Sequence, residues 1–291
     1  MEANVNMHIE EPVKEQTHNL SLDAILRSYV NEYKPVLIIM TPCYNSTVYV
    51  SYMQSLIQTL FACKEYGIDT DVVFCRNDSL VSRARNNLVA KSMHAKSGKA
   101  THFLFIDADI TWSPTDVFKL LIANKPLVGG IYPIKNYKWN TLTDNYTNIR
   151  ERYKKGNFSN FMSEEEFIKT NMVRYNINYE SNMLSIDNNL TKVKHLATGF
   201  MMIQRRTFEI MFTAYPKTKY TDDVSFLEND ENKYAYALFD CGVEYDHYFS
   251  EDWMFCHRWQ KLGGEIFVDV TINLDHTGNE TFRGCYLASV L

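Results

Sequence analysis

The sequence predicts an α/β fold: a mainly parallel central sheet flanked by helices, with an insertion lying over it. Three observations carry this expectation. Apolar runs of strand length, beginning at Val36, Asp71 and Thr101, are each followed by a stretch whose apolar residues recur at helical spacing. Glycine, proline and capping residues stand where those helices should start or stop. The chain has 291 residues, 45% hydrophobic and 14% aromatic, which is enough to bury one large core. Parallel strands joined by crossover helices present their carboxyl ends on one edge, and ligands are expected there.

In chain order, Met1 to Leu20 carries Glu2, Glu10, Glu11 and Glu15, lacks the basic-then-apolar pattern of a signal peptide, and reads as a peripheral extension. Val36 to Thr41 is continuously apolar and ends at Pro42, as expected of a strand buried on both faces. Met53, Leu56, Ile57, Leu60 and Phe61 mark a helix from Val50 to Tyr66 that Gly67 stops. Asp71 to Cys75 is a second strand, and Asp78 or Ser79 caps a helix reaching about Ser97. Thr101 to Ile106 is a third, ending in Asp107-Ala108-Asp109; Ser113-Pro114 then opens a short helix with Pro in its first turn. Pro126 to Ile131 is a fourth strand. Asn136 to Asn189, rich in Asn, Tyr, Lys and Glu, reads as an insertion or lid with one helix at Ser163 to Thr170. Strand character returns at Val193 to Ile203, followed by helices at Thr207 to Tyr215 and Glu251 to Leu262 and a last strand at Glu265 to Val270.

Composition excludes some partners. Thirty Lys plus Arg against 35 Asp plus Glu give a formal charge of −5, so there is no global positive field to hold nucleic acid. No apolar run approaches the roughly 20 residues of a membrane-spanning helix. The six cysteines are scattered without a C-x-x-C pair, which fits reduced thiols in a cytoplasm. The sequon at Asn45 falls at the end of the first strand, where a glycan would cover the expected site.

Five clusters could carry chemistry. Asp107 and Asp109 end a buried strand; converging carboxylates suit Mg²⁺ or Mn²⁺, although Asp is equally a residue of exposed turns. Glu251 and Asp252 open a helix behind Ser250, where acids favour the helix dipole; one of them could instead be a general base. Trp253 beside them could stack on a sugar ring or pack in the core. His276, after the last strand, could complete a metal site or be structural. Thr198-Gly199-Phe200 enters a strand through a glycine that permits close approach, of backbone or of an acceptor. Arg83 and Arg85 lie on the second helix, suited to diphosphate or to a surface acid.

As an ordered set these motifs resemble a GT-A-type glycosyltransferase, with its Rossmann-like sheet. Ile38 to Asn45 is similar to that family's opening strand and base-binding turn, and Asp107-Ala108-Asp109 to its D-x-D motif. Thr198-Gly199-Phe200 is similar to its glycine loop, Ser250-Glu251-Asp252 to its x-E-D motif, and His276 to its C-terminal metal-binding His. The resemblance spans about Lys34 to Gly284 and rests on order and strand-end placement. Gly129 to Lys135 and Phe249 to Asp252 are similar to small stand-alone glycosyltransferases of large DNA viruses, phages and bacteria. The resemblance implies an extension over residues 1–30 and one GT-A domain over 31–291. Within it, 31–135 would be the nucleotide-binding half, 136–192 the lid, and 193–291 the acceptor-binding and catalytic half. It implies that Asp109 and His276 ligate Mn²⁺ or Mg²⁺ and that Asp107 contacts ribose or a metal-bound water. Thr41, Pro42, Tyr44, Asn77, Arg83, Asp107 and Ala108 would hold the nucleotide, with Thr198, Gly199 and Trp253 near donor sugar or acceptor. Asp252, with Glu251 second, would be the base. A nucleotide-sugar, first of all a UDP-sugar, would donate to a hydroxyl of a glycan or protein acceptor with inversion.

Three other readings bear on the same residues. A non-catalytic nucleotide-sugar or carbohydrate-binding protein could keep the fold without the reaction. A sugar-phosphate nucleotidyltransferase would need a glycine-rich, basic loop, and Thr41 to Val50 contains no glycine, lysine or arginine. A metal-dependent phosphohydrolase would need denser His and Asp clusters than this chain has.

Overall fold

The apolar run at Val36 folds as β1 (Val36–Cys43), and Leu37 to Met40 are wholly buried because helices cover both faces of the sheet. The structure is a computed structural model that describes residues 21–180 and 185–290. The extension expected at residues 1–20 lies outside them. The 31-residue boundary does not hold as drawn: Leu22–Tyr33 forms α1, whose Leu26, Tyr29 and Val30 are buried against the sheet.

The first half follows the expected order. β1 leads to α2 (Val50–Tyr66), ended by Gly67 in the left-handed conformation, then to β2 (Asp69–Arg76) and α3 (Val81–Gly98). β3 (His102–Ile106) follows, then β4 (Ile110–Thr111) and α4 (Pro114–Ala123), whose Ser113 and Asp116 form a capping box. β5 (Leu127–Gly130) and β6 (Pro133–Tyr137) complete this half.

The region read as a lid is not one unit. It contains α5 (Trp139–Lys155), which the sequence reading missed because only Ile149 on it is buried, and α6 (Glu164–Met172). β7 (Val173–Tyr175) pairs with β6, whereas β8 (Ile177–Tyr179) and β9 (Leu190–Leu196) belong to the central sheet. The chain continues through β10 (Phe200–Gln204), α7 (Arg205–Ala214), β11 (Gly242–Glu244), β12 (His247–Phe249) and α8 (Glu251–Lys261). β13 (Phe267–Asp269), β14 (Asp275–Thr277), β15 (Thr281–Arg283) and α9 (Tyr286–Val290) close it.

Among the described residues the central sheet runs β2-β1-β3-β10-β5-β13-β9-β8. β2, β1 and β3 are parallel, as are β5 and β13, but β10 runs antiparallel between β3 and β5, and β9 antiparallel beside β13. The sheet is therefore mixed: β2, β1, β3, β5, β13 and β8 run in one direction, with β10 and β9 against them. Val193 to Ile203, read as one strand, splits at the Ala197 to Gly199 turn into β9 and β10, which lie apart in the sheet. Alternate residues feed two cores: Ile38, Met40, Phe103 and Phe105 on one face, Leu37, Ile39, Leu104 and Ile106 on the other. No helix among the described residues is long and apolar enough to cross a membrane, and the six cysteines are unbridged.

Candidate active site at the carboxyl ends of the parallel strands

A cavity of about 480 Å³ opens where β1, β2 and β3 end, lined by Pro42, Tyr44, Asp78, Arg85, Asp107 and Asp109 among others. A larger cavity, about 910 Å³, lies along α4, β9 and β13 around Lys119, Lys125 and Phe267. It holds none of the side chains singled out above, so chemistry rather than size selects the smaller one.

β3 delivers Asp107 to the cavity as its last buried apolar residue, Ile106, gives way to a turn. The turn is fixed from three sides. Asp107 N–H donates to Gly199 O at 3.1 Å, Tyr49 N–H to Ala108 O at 3.0 Å, and Thr277 N–H to Asp109 O at 2.9 Å. The bland reading of an exposed turn fails, because the backbone is held by β14 and by the loop before β10. The two carboxylates diverge. Asp107 Oδ1 accepts from Arg85 Nη2 at 3.2 Å, while Asp109 Oδ2 accepts from Lys135 Nζ at 2.5 Å and lies 3.4 Å from His276 Nε2. Burial works to raise the Asp109 carboxyl, but His276 and Lys135 together hold it below its ordinary value.

Arg85 is the residue the sequence reading passed over in favour of Arg83. It is 4% exposed, lies over the Phe105 ring, and bridges Asp107 to Glu251 Oε1, the latter at 3.1 Å. Its Nη1 is buried with no partner. Helical spacing carries the signal that was missed: Arg85 is three and four residues from the buried Leu88 and Val89, so it points inward. Asn86 and Asn87 continue that face. Asn86 exchanges both amide hydrogen bonds with the Phe239 backbone, at 2.7 and 2.9 Å, and Asn87 donates to Asp222 at 3.1 Å.

Glu251 is thus committed to Arg85 and is not a simple helix cap. Asp252, the next residue, accepts from the Ser250 hydroxyl and from Trp253 N–H at 2.8 Å. Burial, and after it the Glu251 carboxylate, push the Asp252 carboxyl above its ordinary value. Tyr132 lies within the same field: burial and then Asp107 keep its phenol protonated. Trp253 is half-buried, and one ring face is stacked at 4.3 Å on His195, so at most the other is open to a sugar.

Other expected site residues fall elsewhere. Thr41 is fully buried, its hydroxyl bonded to Tyr52 at 2.6 Å, because its place in β1 turns it into the core; it cannot face a base. Pro42 and the exposed Tyr44 do line the cavity, as does Ala108. Asn77 and Arg83 flank it without lining it. Asn77 has φ +59° and accepts from the Ser46 hydroxyl at 2.9 Å, while Arg83 holds cavity-lining Asp78 with two hydrogen bonds, 2.9 and 2.8 Å. Thr198 and Gly199 are buried, not surface contacts for a sugar. A Cβ at Gly199 would come within 2.6 Å of the Tyr132 ring and hydroxyl, so glycine here lets Tyr132 pack beneath the Asp107 turn.

The donor set fits a divalent cation in one respect. His276 Nδ1 lies 2.8 Å from Pro133 O, which can only accept, so Nδ1 carries a proton and Nε2 is the ring atom turned toward Asp109. An imidazole Nε2 and a carboxylate oxygen turned toward one another are two atoms of the kind that ligate Mn²⁺ or Mg²⁺. Asp107 does not join them: among the described residues no three His, Cys, Asp or Glu side chains gather. Asp107 is instead bonded to Arg85. The chain matches no family model and no curated protein.

Proposed function

We propose that the chain is a metal-dependent glycosyltransferase of the GT-A type, moving a sugar from a nucleotide-sugar, first of all a UDP-sugar, to a hydroxyl of a glycan or protein acceptor. One observation carries the reading. Arg85, Asp107 and Asp109 line one strand-end cavity, with His276 3.4 Å from Asp109, Glu251 bonded to Arg85, and the raised carboxyl of Asp252 next to Glu251 in the chain. Asp109 and His276 would hold Mn²⁺ or Mg²⁺, which when bound supplies Lewis-acid stabilisation to the leaving diphosphate.

The chain's own side chains do the rest. Pro42 and Tyr44 form the wall on which a base can lie, and Asp107, fixed by Arg85, presents its free oxygen to a ribose hydroxyl. Arg85 Nη1, buried and unpartnered, is available to a donor oxygen. Asp252 accepts the proton of the acceptor hydroxyl as that oxygen bonds to the anomeric carbon and the bond to the diphosphate breaks. Attack opposite the leaving group inverts the anomeric centre. The neutral Tyr132 hydroxyl accepts from Asn176 Nδ2 at 3.4 Å and adds no charge to this field.

The competing reading, a non-catalytic nucleotide-sugar or carbohydrate binder, has one observation in its favour: Lys135 already neutralises Asp109. A thermal-shift panel of UDP, GDP, CDP and their sugars, each with and without Mn²⁺, tests the first reading, since a ligand that binds only the folded state raises its stability. A metal-dependent rise with one nucleotide, lost in Asp109→Asn, is the expected result. No shift in folded protein would sink it, and a shift without turnover of the matching sugar would favour the binder.

A further inference from the structure

Asp109 Oδ2 serves two partners: Lys135 Nζ at 2.5 Å and His276 Nε2 at 3.4 Å. Lys135 is not there by chance of a long surface side chain. It stands on β6 two residues beyond Pro133, whose carbonyl oxygen orients His276, so one short strand positions both the imidazole and the ammonium. The space for its stem is made by Gly278, where a Cβ would come within 2.9 Å of Lys135 Cδ. The ammonium therefore sits on the same Asp109 oxygen that His276 faces, the oxygen a divalent cation held by the pair would need. Two cations cannot share one carboxylate oxygen at that range without strong repulsion.

We propose that Lys135 is a tethered counter-cation: it holds Asp109 in place of the metal, and metal binding displaces it. This rests on the metal-dependent reading above. Lys135 is then a positioning residue that sets how much free metal the centre requires. Breaking one charge-assisted hydrogen bond opposes each binding event, and the released ammonium is left beside the cavity, where it can meet a phosphate oxygen of the donor.

The test is the affinity for Mn²⁺ alone, read from the electron paramagnetic resonance signal of the free ion, in the whole chain and its variants. Lys135→Met is expected to bind Mn²⁺ roughly tenfold more tightly, the equivalent of one charged hydrogen bond no longer opposing it. Gly278→Ala, which pushes the Lys135 stem aside while keeping its charge, should shift affinity the same way and serves if Lys135→Met does not fold. Lys138→Gln removes the same charge from the same segment without the contact and should change nothing. Unchanged or weaker binding in Lys135→Met and Gly278→Ala, with binding abolished in Asp109→Asn, overturns displacement and leaves the metal-dependent reading standing. A gain in Lys138→Gln equal to that in Lys135→Met reduces the effect to general charge and also overturns it. Mn²⁺ binding that is absent throughout, or that survives Asp109→Asn, overturns both.

Discussion

Arg85 sits between two carboxylates in a nearly water-free position, over an aromatic ring. A guanidinium so placed stabilises little by itself, because desolvation offsets much of the Coulomb gain, but removing it leaves the half-buried carboxylates of Asp107 and Glu251 unpaired. Arg85→Met is expected to cost about 3 to 5 kcal/mol, measurable by urea unfolding. Arg85→Lys should lose most of the same amount, since an ammonium cannot span both acids with a planar fork. A cost near zero for either would mean that the bridge does not bear on stability. Asp252 carries the chemistry in the proposed reaction. Asp252→Asn should lower kcat at least about a hundredfold with the fold intact, the ordinary scale for a general base. Because burial and the neighbouring Glu251 raise its pKa, the acid limb of kcat/KM should lie above the usual carboxylate range, with activity falling as pH drops through it. Glu251→Gln removes one raising cause and should move that limb to lower pH. A limb that stays in place in Glu251→Gln would assign it to another group.

At the scale of elements, β3 connects the core to the site: Phe103 to Ile106 are fully buried, and Asp107 emerges from the last of them. Its opposite end carries His102, buried with Thr101 Oγ1 2.8 Å from Nδ1 and Tyr29 3.3 Å from Nε2. Burial lowers the His102 pKa from 6.5 to about 4, and His195, under Trp253, is lowered by burial to about 4 as well. Well above pH 6.5 both rings are neutral in folded and unfolded chain and contribute no pH dependence. Below it the unfolded chain binds protons that the folded chain refuses, so stability falls as pH drops from about 6.5 to about 4. The loss attributable to His102 is at most about 3 kcal/mol. His102→Gln should flatten the decline in denaturant-midpoint measurements across that window; an unchanged slope would show that other groups set it. The turn between β9 and β10 is equally local in its demands. Gly199→Ala drives a methyl into Tyr132 and should cost about 1 to 3 kcal/mol in urea unfolding; a cost near zero would show that the glycine is not needed for that packing.

Across the whole molecule, what the sequence made legible was local. The βα units through α4 announce themselves by period, cap and breaker, because their buried faces are apolar and their ends carry Gly67 or Ser113-Pro114. Strand order was not legible: nothing local to Phe200–Gln204 says that it inserts antiparallel between β3 and β5. In the site, Asp107, Asp109, Asp252 and His276 could be named by type and strand-end position. Lys135 and Tyr132 could not be assigned, since their roles depend on β6 meeting β14 across more than a hundred residues of chain. α5 was invisible for a different reason: it buries almost nothing of its own and depends on distant partners. One of those is the last described helix. Arg152 on α5 donates to Ala288 O at 3.2 Å, Asn171 meets the same oxygen at 3.4 Å, and Tyr286, 2% exposed, meets the Tyr179 hydroxyl at 2.5 Å. α9 therefore joins α5 and α6 to the edge of the central sheet. Tyr286→Ala should remove that joint at a cost of about 3 to 5 kcal/mol, as for a buried aromatic. The loss should be uneven, opening α5 and α6 before the β1 to β3 core, because the Tyr286 contact lies at the β8 edge, at the far side of the strand order from β1 and β3. Hydrogen exchange resolved by fragment separates the cases. Faster exchange confined to residues 139–172 is the expected pattern, and uniform acceleration that includes β1 and β3 would show that the molecule unfolds as one unit.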